Sequence, residues 1–358
     1  MKRSNLIQSL LAFAGFGATA YTTFKMLQTR SLRGQVVLIT GSSRGLGFQL
    51  ALEFAQQGCQ VVLCARVQEE LEQARAQFEK WGIGVFALVC DVSDQTEVNG
   101  MIETVMNRFG QVDILVNNAG TIQVGPVQSA TVEDFEQAMD TMFWGGIYTT
   151  LALLPQMQER GSGHIVNITS VGGKVGVPHL LPYVAAKFAM TGFSEGLTAE
   201  LTGSGIRVTT IIPGLMRTGS YLNAFFKGHQ QDEFRWFSIG DNLPFVSIGA
   251  EAAAHEIVEA VKRGEIEYIL TIPAKGLTRF YGMFPNVAIR IIGWTVQLLL
   301  PGATHNQVKE RGMEIQEWMK EPFFNWLTGW GRAAAQQFNQ QSAPNYKSPY
   351  HTEAPFEN

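Results

Sequence analysis

Three residues of this 358-residue chain have the types and spacing needed to move a proton to or from a substrate oxygen. Tyr183 and Lys187 are four positions apart, so they share one face of a helix. A tyrosine at its reference pKa of about 10 is a poor base near neutral pH, and a nearby ammonium group lowers that pKa. Ser170, which precedes Tyr183, can hydrogen-bond a substrate oxygen and stabilise charge there. The pattern predicts that Tyr183 is the acid or base, that Lys187 adjusts its pKa and that Ser170 binds the substrate oxygen. The alternative is that Tyr183 and Lys187 belong to an ordinary exposed helix.

A glycine-rich turn at residues 40–47 (TGSSRGLG) lies between an apolar run and a helical segment. Gly41 permits a tight turn, Gly45 lets the backbone approach a pyrophosphate, and Gly47 lets helix and strand pack closely. The N-terminus of a helix also supplies free N–H groups and partial positive charge for a phosphate. The turn therefore predicts a dinucleotide site.

The end of the second apolar run bears on which dinucleotide binds. A site selective for NAD usually carries Asp or Glu there, on the ribose 2′-hydroxyl, but this run ends Cys64-Ala65-Arg66. Arg66 and Arg44 can instead bind a 2′-phosphate through their planar guanidinium groups. The alternative is that either arginine is a solvated surface residue. The sequence favours NADP(H) over NAD(H).

Apolar runs alternate with helical stretches along the middle of the chain. The predicted strands are 35–40, 60–65, 85–90, 112–116, 164–168, 207–212 and 268–272. The predicted helices are 45–57, 69–80, 94–109, 132–158, 181–202 and 249–262. This alternation indicates an α/β fold in which a doubly wound parallel sheet is covered on both faces. Residues 33–275 are predicted to form that single domain.

Five motifs in the expected order give this chain a strong resemblance to the classical short-chain dehydrogenase/reductase family. They are TGSSRGLG at 40–47, Asn117-Asn118-Ala119-Gly120, Ser170 thirteen positions before Tyr183, Tyr183-Val184-Ala185-Ala186-Lys187, and Pro213-Gly214 followed by Thr218. The resemblance covers about residues 33–272. It implies a Rossmann fold and an NADP(H)-dependent oxidoreductase that interconverts a ketone or aldehyde and an alcohol, with a homo-oligomer as a further expectation.

The resemblance also implies the roles of individual residues. Ser170, Tyr183 and Lys187 are the predicted catalytic residues, and Lys187 is also expected to bind the nicotinamide ribose. Asp91 and Val92 are expected to border the adenine, although Asp91 also fits a helix-capping pattern. The full set predicted to bind cofactor is Gly41, Ser43, Arg44, Gly45, Leu46, Gly47, Arg66, Asp91, Val92, Asn117, Ala119, Gly120, Tyr183, Lys187, Pro213, Gly214 and Thr218.

One position departs from the family pattern. The family often has an asparagine in the fourth helix that holds a water for proton supply, and Met142 stands there in Asp140-Thr141-Met142-Phe143-Trp144-Gly145. A thioether cannot hold that water. The departure motivates a second hypothesis, a cofactor-binding scaffold or redox sensor with little turnover.

The connection at 215–246 is the candidate substrate lid. It carries eight large side chains: Tyr221, Leu222, Phe225, Phe226, Phe234, Trp236, Phe237 and Phe245. Such a lid predicts a lipophilic carbonyl or alcohol as substrate and a role in lipid metabolism; the alternative is a lid that packs on its own domain or on a partner subunit. His179 lies in the loop before Tyr183, where it either contacts substrate or is an ordinary loop histidine.

Segments outside the central domain bear on localisation. Residues 6–24 are uncharged and just long enough to span a bilayer, so 1–32 is read as a membrane anchor, with a packed or disordered extension and a cleaved signal as alternatives. A helical extension is predicted over 276–332, where the apolar run 287–300 either packs on the domain or contacts a membrane, and a flexible tail over 333–358. A membrane-associated protein with its catalytic domain on the cytoplasmic side is predicted; a soluble cytoplasmic protein is the alternative.

Charge and metal-ligand content exclude other classes. The formal net charge of −4 gives no support to a nucleic-acid partner. Three cysteines make no disulfide framework, and the six histidines show no close metal spacing, so no metal site is predicted.

Overall fold

A seven-stranded parallel sheet forms the centre of the protein. The computed structural model describes residues 30–243, 246–319 and 337–340. The strands are β1 Val36–Thr40, β2 Gln60–Ala65, β3 Val85–Val89, β4 Ile114–Asn117, β5 Gly163–Ile168, β6 Ile206–Ile212 and β7 Glu267–Ile269. Their order is β7-β6-β5-β4-β1-β2-β3, so the winding reverses between β1 and β4. Ligands of doubly wound sheets bind at such a switch point, beyond the carboxyl ends of the strands.

Helices cover both faces of this sheet, which confirms the predicted fold class. They are α1 Gly45–Gln56, α2 Gln68–Lys80, α3 Gln95–Phe109, α4 Val132–Met139, α5 Gly145–Arg160, α6 Leu181–Glu200, α7 Gln230–Asn242, α8 Ala250–Arg263, α9 Ile272–Met283, α10 Pro285–Leu299 and α11 Gly312–Trp318. Phe54, Phe78 and Ile257 bring α1, α2 and α8 into one buried layer. Leu153 and Leu197 bring α5 and α6 into the layer on the opposite face. Two apolar layers around one sheet are the usual way to bury both of its faces.

A chain of buried hydrogen bonds runs beneath the carboxyl ends of β4, β5 and β6. Asn117 Nδ2 donates to Asn167 Oδ1 at 2.9 Å, and Asn167 Nδ2 donates to Ser194 Oγ at 2.9 Å. Ser194 Oγ lies 2.6 Å from Thr210 Oγ1, and Thr149 Oγ1 donates to Asn117 Oδ1 at 2.7 Å. All five side chains are buried. Because an unpaired buried polar group costs about 1–3 kcal/mol, this network fixes α5 and α6 relative to the three strands.

Two predicted elements differ from the structure. The predicted helix 132–158 is divided into α4 and α5 by a π-helical turn at Asp140–Trp144. The predicted strand 268–272 ends at Ile269, and the chain turns into α9 at Thr271, whose φ is 70°. A Thr before the helix and a Pro in its first turn are start signals for a helix, and here they outweigh the apolar pattern.

The segment predicted as a lid folds into a small core of its own. Tyr221, Phe226, Phe234 and Phe237 are buried against one another around α7. The same cluster includes side chains from the start of α6 and from α11. Most of the lid's aromatic residues therefore support the packed alternative; Phe245 lies outside the described residues.

The residues after the central domain return to this lid. The two-residue strand Glu310–Arg311 pairs antiparallel with Phe225–Phe226, which pairs in turn with Gln123–Val124. Before that return, α9 and α10 pack against each other as a hairpin. No helix in the described parts of the chain is both long and apolar enough to cross a membrane. Residues 6–24 and most of the predicted tail lie outside the described residues.

Candidate active site

A cleft of about 270 Å³ lies at the carboxyl ends of the central strands. Its walls come from the glycine turn, the end of β2, the loops after β4, β5 and β6, and the start of α6. The lining includes these predicted residues: Gly41, Ser43, Arg44, Gly45, Leu46, Gly47, Arg66, Asp91, Val92, Ala119, Gly120, Ser170, Tyr183, Lys187, Pro213, Gly214 and Thr218. The structure thus brings together every predicted site residue except Asn117.

The glycine turn leaves bare backbone at the start of α1. Gly41 and Gly45 have φ values of 64° and 58°, in the region that favours glycine. A Cβ on Gly47 would lie 2.2 Å from Gly41 O, and one on Gly41 would lie 2.8 Å from Ala119 Cα. Only glycine fits these positions without a shift, and the turn places the start of a helix at the cleft. These residues fit a dinucleotide pyrophosphate.

Ser170, Tyr183 and Lys187 meet at the other end of the cleft. Ser170 follows β5, and the other two lie in the first two turns of α6. Ser170 Oγ accepts from the backbone N–H of Gly172 at 3.0 Å, and the Ser170 hydroxyl lowers the pKa of the Tyr183 phenol. Lys187 Nζ donates to Ile168 O at 2.8 Å and lies 5.7 Å from the centroid of the Tyr183 ring. The arrangement can hold a substrate oxygen beside a phenol and a buried amine.

Burial sets the protonation of this cluster. It raises the pKa of Tyr183 to about 12; the hydrogen bond from Ser170 lowers that pKa, and the negative charge of Asp241 raises it. Burial also lowers the pKa of Lys187 to about 8. The sequence predicts a lowered pKa for Tyr183, and that direction is wrong for this structure, because desolvation of the phenolate outweighs the hydrogen bond from Ser170.

Met142 is buried in the π-helical turn, close to the same cluster. Its side chain belongs to a small apolar group with Ala138 and Ala186, and Tyr183 packs against that group. A second cavity of about 10 Å³, which is roughly the volume of one water, lies beside Met142 and is also lined by Asn117. The thioether thus takes the place that the family pattern gives to a polar amide.

The two arginines near the adenine end both lie beside carboxylates. Arg44 forms an ion pair with Glu70, whose side chain is buried. Arg66 directly follows β2, and its Nη1 lies 4.0 Å from Asp91 Oδ2. Because Arg44 is paired with a buried acid, Arg66 is the better placed of the two to meet a further anion.

Asp91 lies at the cleft and also makes local hydrogen bonds. It lines the cleft, and its Oδ1 accepts from the backbone N–H and the hydroxyl of Ser93 at 3.0 and 2.7 Å. The cap of α3 itself is Asp94, which accepts from the N–H groups of Thr96 and Glu97. Asp91 therefore stabilises the turn before α3 while it faces the cleft.

Asn117 is a correction to the predicted site. Its side chain belongs to the buried network beneath the sheet and lies outside the lining of the cleft. Its neighbour Asn118 lines the cleft instead, and Asn118 Nδ2 donates to the carbonyl oxygens of Thr40 and Gly41 at 2.9 and 3.0 Å. Because successive residues of a strand point to opposite faces, Asn118 reaches the cleft where Asn117 does not.

His179 is neither a surface residue nor part of the cleft lining. It is buried, with a φ of 59°, and its Nδ1 lies 2.8 Å from Glu233 Oε1 on α7. Trp236 Nε1 donates to the same carboxylate at 2.6 Å. The histidine therefore joins the loop before α6 to the lid.

Several lining residues have no signal in the family motifs. Asn223, Phe225, Arg311 and Gln340 come from the lid and from the chain beyond it. They reach the cleft only through the tertiary fold, so no local spacing could have revealed them.

A short piece of the predicted flexible tail is packed on the glycine turn. Gly45 N donates to Phe338 O at 2.8 Å, and Asn339 Nδ2 donates to Ser43 O at 2.8 Å. Asn223 Nδ2 donates to Gln340 Oε1 at 2.6 Å, and Gln340 is buried. For residues 337–340 the expectation of flexibility is therefore not met, because these contacts bury them.

Comparison with known proteins defines the class to which this fold and cleft belong. The short chain dehydrogenase family model matches residues 35–225, which is more than half of the chain. The chain belongs to the short-chain dehydrogenase/reductase family.

Two similar relatives show how far the likeness extends. A dehydrogenase/reductase SDR family protein 7-like from Anopheles gambiae is 40% identical over 200 residues, which cover 54% of this chain and 63% of the relative. The human 17-beta-hydroxysteroid dehydrogenase 13 is 37% identical over 193 residues, which cover 53% and 64%. The matched part of the chain spans less than two thirds of the length of each.

Solved structures share the fold over most of their length. A short-chain dehydrogenase from Streptomyces avermitilis superposes with a TM-score of 0.64 at 29% identity, covering 74% of this chain and 97% of that one. The L-sorbose reductase from Gluconobacter frateurii, solved with NADPH and L-sorbose, gives a TM-score of 0.59 at 28% identity, covering 67% and 95%.

Asp241 provides a test of the electrostatics described above. Burial raises the pKa of its carboxyl from 3.8 to about 8. Between about pH 4 and pH 8 the carboxyl is therefore protonated in the folded protein and ionised in the unfolded chain. Wild-type stability should therefore fall as pH rises through that window. In Asp241→Asn this loss is absent, and the variant should gain about 4 kcal/mol relative to wild type between pH 5 and pH 8.

Urea unfolding of both proteins at the two pH values measures this change. Asp232→Asn, on the same helix but exposed, is the matched control: it keeps Asp241, so its stability should fall with pH as in wild type. A difference between Asp241→Asn and wild type that stays constant with pH would contradict the buried, protonated carboxyl.

Proposed function

We propose that this protein is an NADP(H)-dependent oxidoreductase that interconverts a ketone or aldehyde and an alcohol. One observation carries the proposal: Ser170, Tyr183 and Lys187 meet at one end of a cleft whose other end is a glycine turn that begins a helix. Membership of the short-chain dehydrogenase/reductase family supports it. The bound nicotinamide would supply or accept the hydride, and the chain supplies the rest.

The protein's own groups handle the proton. Ser170 orients the substrate oxygen, and Tyr183, protonated near neutral pH because of its raised pKa, donates its proton to that oxygen during reduction. Lys187 Nζ, held by Ile168 O, stays within reach of the tyrosine ring and stabilises negative charge left there.

The cofactor would lie along the predicted residues of the cleft. The backbone at Gly45 and Leu46 would hold the pyrophosphate, and Arg66 would hold the 2′-phosphate that distinguishes NADP(H) from NAD(H). The L-sorbose reductase complex contains NADPH, which supports the same choice by likeness.

A lipophilic substrate is the second part of the proposal. The name of the human relative, a 17-beta-hydroxysteroid dehydrogenase, supports it. Within the cleft, Ile122, Met216, Ala224 and Phe225 provide apolar lining near the lid. Attachment to a membrane through residues 6–24, with the catalytic domain on the cytoplasmic side, and a homo-oligomer stay predictions.

Replacement of the catalytic hydroxyl tests the activity. Tyr183→Phe should lower kcat for NADPH oxidation with lipophilic ketones and aldehydes by about a hundredfold or more, because the general acid is lost. Tyr268→Phe, which removes a hydroxyl bonded to Glu256 far from the cleft, is the matched control. Equal activity of Tyr183→Phe and wild type would refute the assignment.

Charge reversal at the adenine end tests the cofactor. Arg66→Asp should reverse the preference for NADPH over NADH, with a change in the Kd ratio of about tenfold or more, because a charge-assisted contact becomes a repulsive one. Arg75→Asp, on the exposed side of α2, should leave the ratio unchanged. An unaltered ratio in Arg66→Asp would mean that the 2′-phosphate binds elsewhere.

The buried thioether supports a second candidate, a cofactor-binding scaffold or redox sensor with little turnover. In that case NADPH binds but no carbonyl is reduced, because Met142 interrupts proton supply to Tyr183. Met142→Asn should raise kcat or shift its pH profile, since the adjoining cavity accommodates about one water. Met139→Asn, one position before the π-helical turn, is the control. Unchanged turnover and pH profile in Met142→Asn would mean that Met142 does not limit the reaction.

A further inference from the structure

The α9–α10 hairpin, residues 272–299, presents a large apolar surface to solvent. Of the 15 residues of α10, Ala288 is the buried one, and in α9 it is Ala274. Trp294 is 66% exposed and Leu298 is 80% exposed. Isolated exposed apolar residues are normal on a protein surface, but a contiguous set of this size marks an interaction surface.

The exposed residues of α10 form one continuous stripe. Val287, Ile291, Trp294 and Leu298 are spaced four, three and four positions apart, which places them on the same face of a helix. Arg290 stands beside this stripe. A helix with an apolar face, a tryptophan within it and a basic residue at its edge has the pattern of a helix that lies in a membrane interface.

Charge distinguishes the partner. No Asp or Glu occurs between Glu267 and Glu310, although the chain as a whole has more acidic than basic residues. The hairpin carries only positive charge, at Lys275, Arg279 and Arg290. In a symmetric dimer through this face the same positive residues would confront each other with no acid on the hairpin to pair with. An anionic lipid surface complements both the charge and the apolar stripe.

The length of the hairpin fixes how it meets the lipid. The 15 residues of α10 extend about 22 Å, which is short of the ~30 Å hydrocarbon core. The helix can therefore lie along the interface but not cross it.

We propose that the α9–α10 hairpin docks on an anionic lipid surface, with the stripe Val287–Ile291–Trp294–Leu298 in the acyl region. The start of α9 lies next to the reactive end of the cleft. Gly214 lines the cleft, and a Cβ atom placed on it would lie 3.3 Å from Ala274 Cβ in α9. Tyr281 Oη approaches the loop between Ser170 and Tyr183 in the same way, 3.8 Å from a Cβ on Gly176. If the proposed function holds, a substrate dissolved in lipid reaches the cleft beside this surface.

A fluorescent probe on the full-length chain tests the docking directly. An environment-sensitive dye attached to Leu298→Cys should shift its emission to shorter wavelength when phosphatidylcholine vesicles containing phosphatidylserine are added, and less with phosphatidylcholine alone. The same dye on Val132→Cys, an exposed apolar position on α4, should not shift. The measurement reads the hairpin itself, whatever residues 6–24 contribute, and it is independent of enzymatic activity.

Vesicle co-flotation supplies the second measurement. Trp294→Glu combined with Leu298→Glu should lower partitioning onto the anionic vesicles by about tenfold or more, because charge enters the stripe. Val127→Glu with Val132→Glu is the matched control, and unchanged urea midpoints and NADPH affinity would show that both double variants are folded. Arg279→Ser with Arg290→Ser should remove the preference for phosphatidylserine.

Three outcomes would overturn the proposal. The first is that the emission of the dye at Leu298→Cys does not shift when vesicles are added. This is the result expected if another segment or a second copy of the chain covers the stripe. The second is an equal response to both lipid mixtures. The third is a stripe variant that dissociates an oligomer in sedimentation while its partitioning is unchanged, which would assign the surface to self-association.

Discussion

The buried hydrogen-bond network beneath β4, β5 and β6 is the interaction on which the site depends. Asn117, Asn167 and Ser194 link the strands to the helix that carries Tyr183 and Lys187. Each donor and acceptor in the network is shielded from water, so a shift of α6 would leave polar atoms unpaired at a cost of about 1–3 kcal/mol each. The reactive side chains are thus held by hydrogen bonds that never contact a ligand. Apolar packing alone would tolerate small sliding of α6, whereas directional bonds do not.

The same burial that fixes the site also shapes its charges. Tyr183, Lys187 and Asp241 all lie where water is excluded, and each is shifted toward its neutral form. Near neutral pH this leaves Tyr183 and Asp241 mostly neutral, with Lys187 still mostly protonated. The pKa values of the free protein are therefore a starting point that a bound anion or cation will change.

Local patterns in the sequence predict the sheet and the motif residues well, because both depend on short-range spacing. The strands β1 to β6 and the helices around them follow directly from apolar runs and glycine turns. Three features of the site cannot be predicted from the sequence, for physical reasons. Asn117 and Asn118 are chemically alike, and only the alternation of the strand decides which one faces the cleft. The direction of the pKa shift of Tyr183 depends on its burial, which spacing does not reveal. Arg311 and Gln340 reach the cleft from far along the chain.

The hydrogen bond between Gly45 and Phe338 means that a segment of the chain itself occupies the glycine-turn end of the cleft. The N–H of Gly45 already donates to a carbonyl oxygen, and that oxygen belongs to the same chain. Any phosphate oxygen that takes this N–H must displace a tethered group, whose local concentration does not fall when the protein is diluted. A dissociation constant measured for a phosphate ligand on the whole chain therefore includes the cost of replacing Phe338 O as the acceptor of the Gly45 N–H. Any change to residues 337–340 therefore acts on one side of that exchange, although these residues lie almost 300 positions from Gly45 in the sequence.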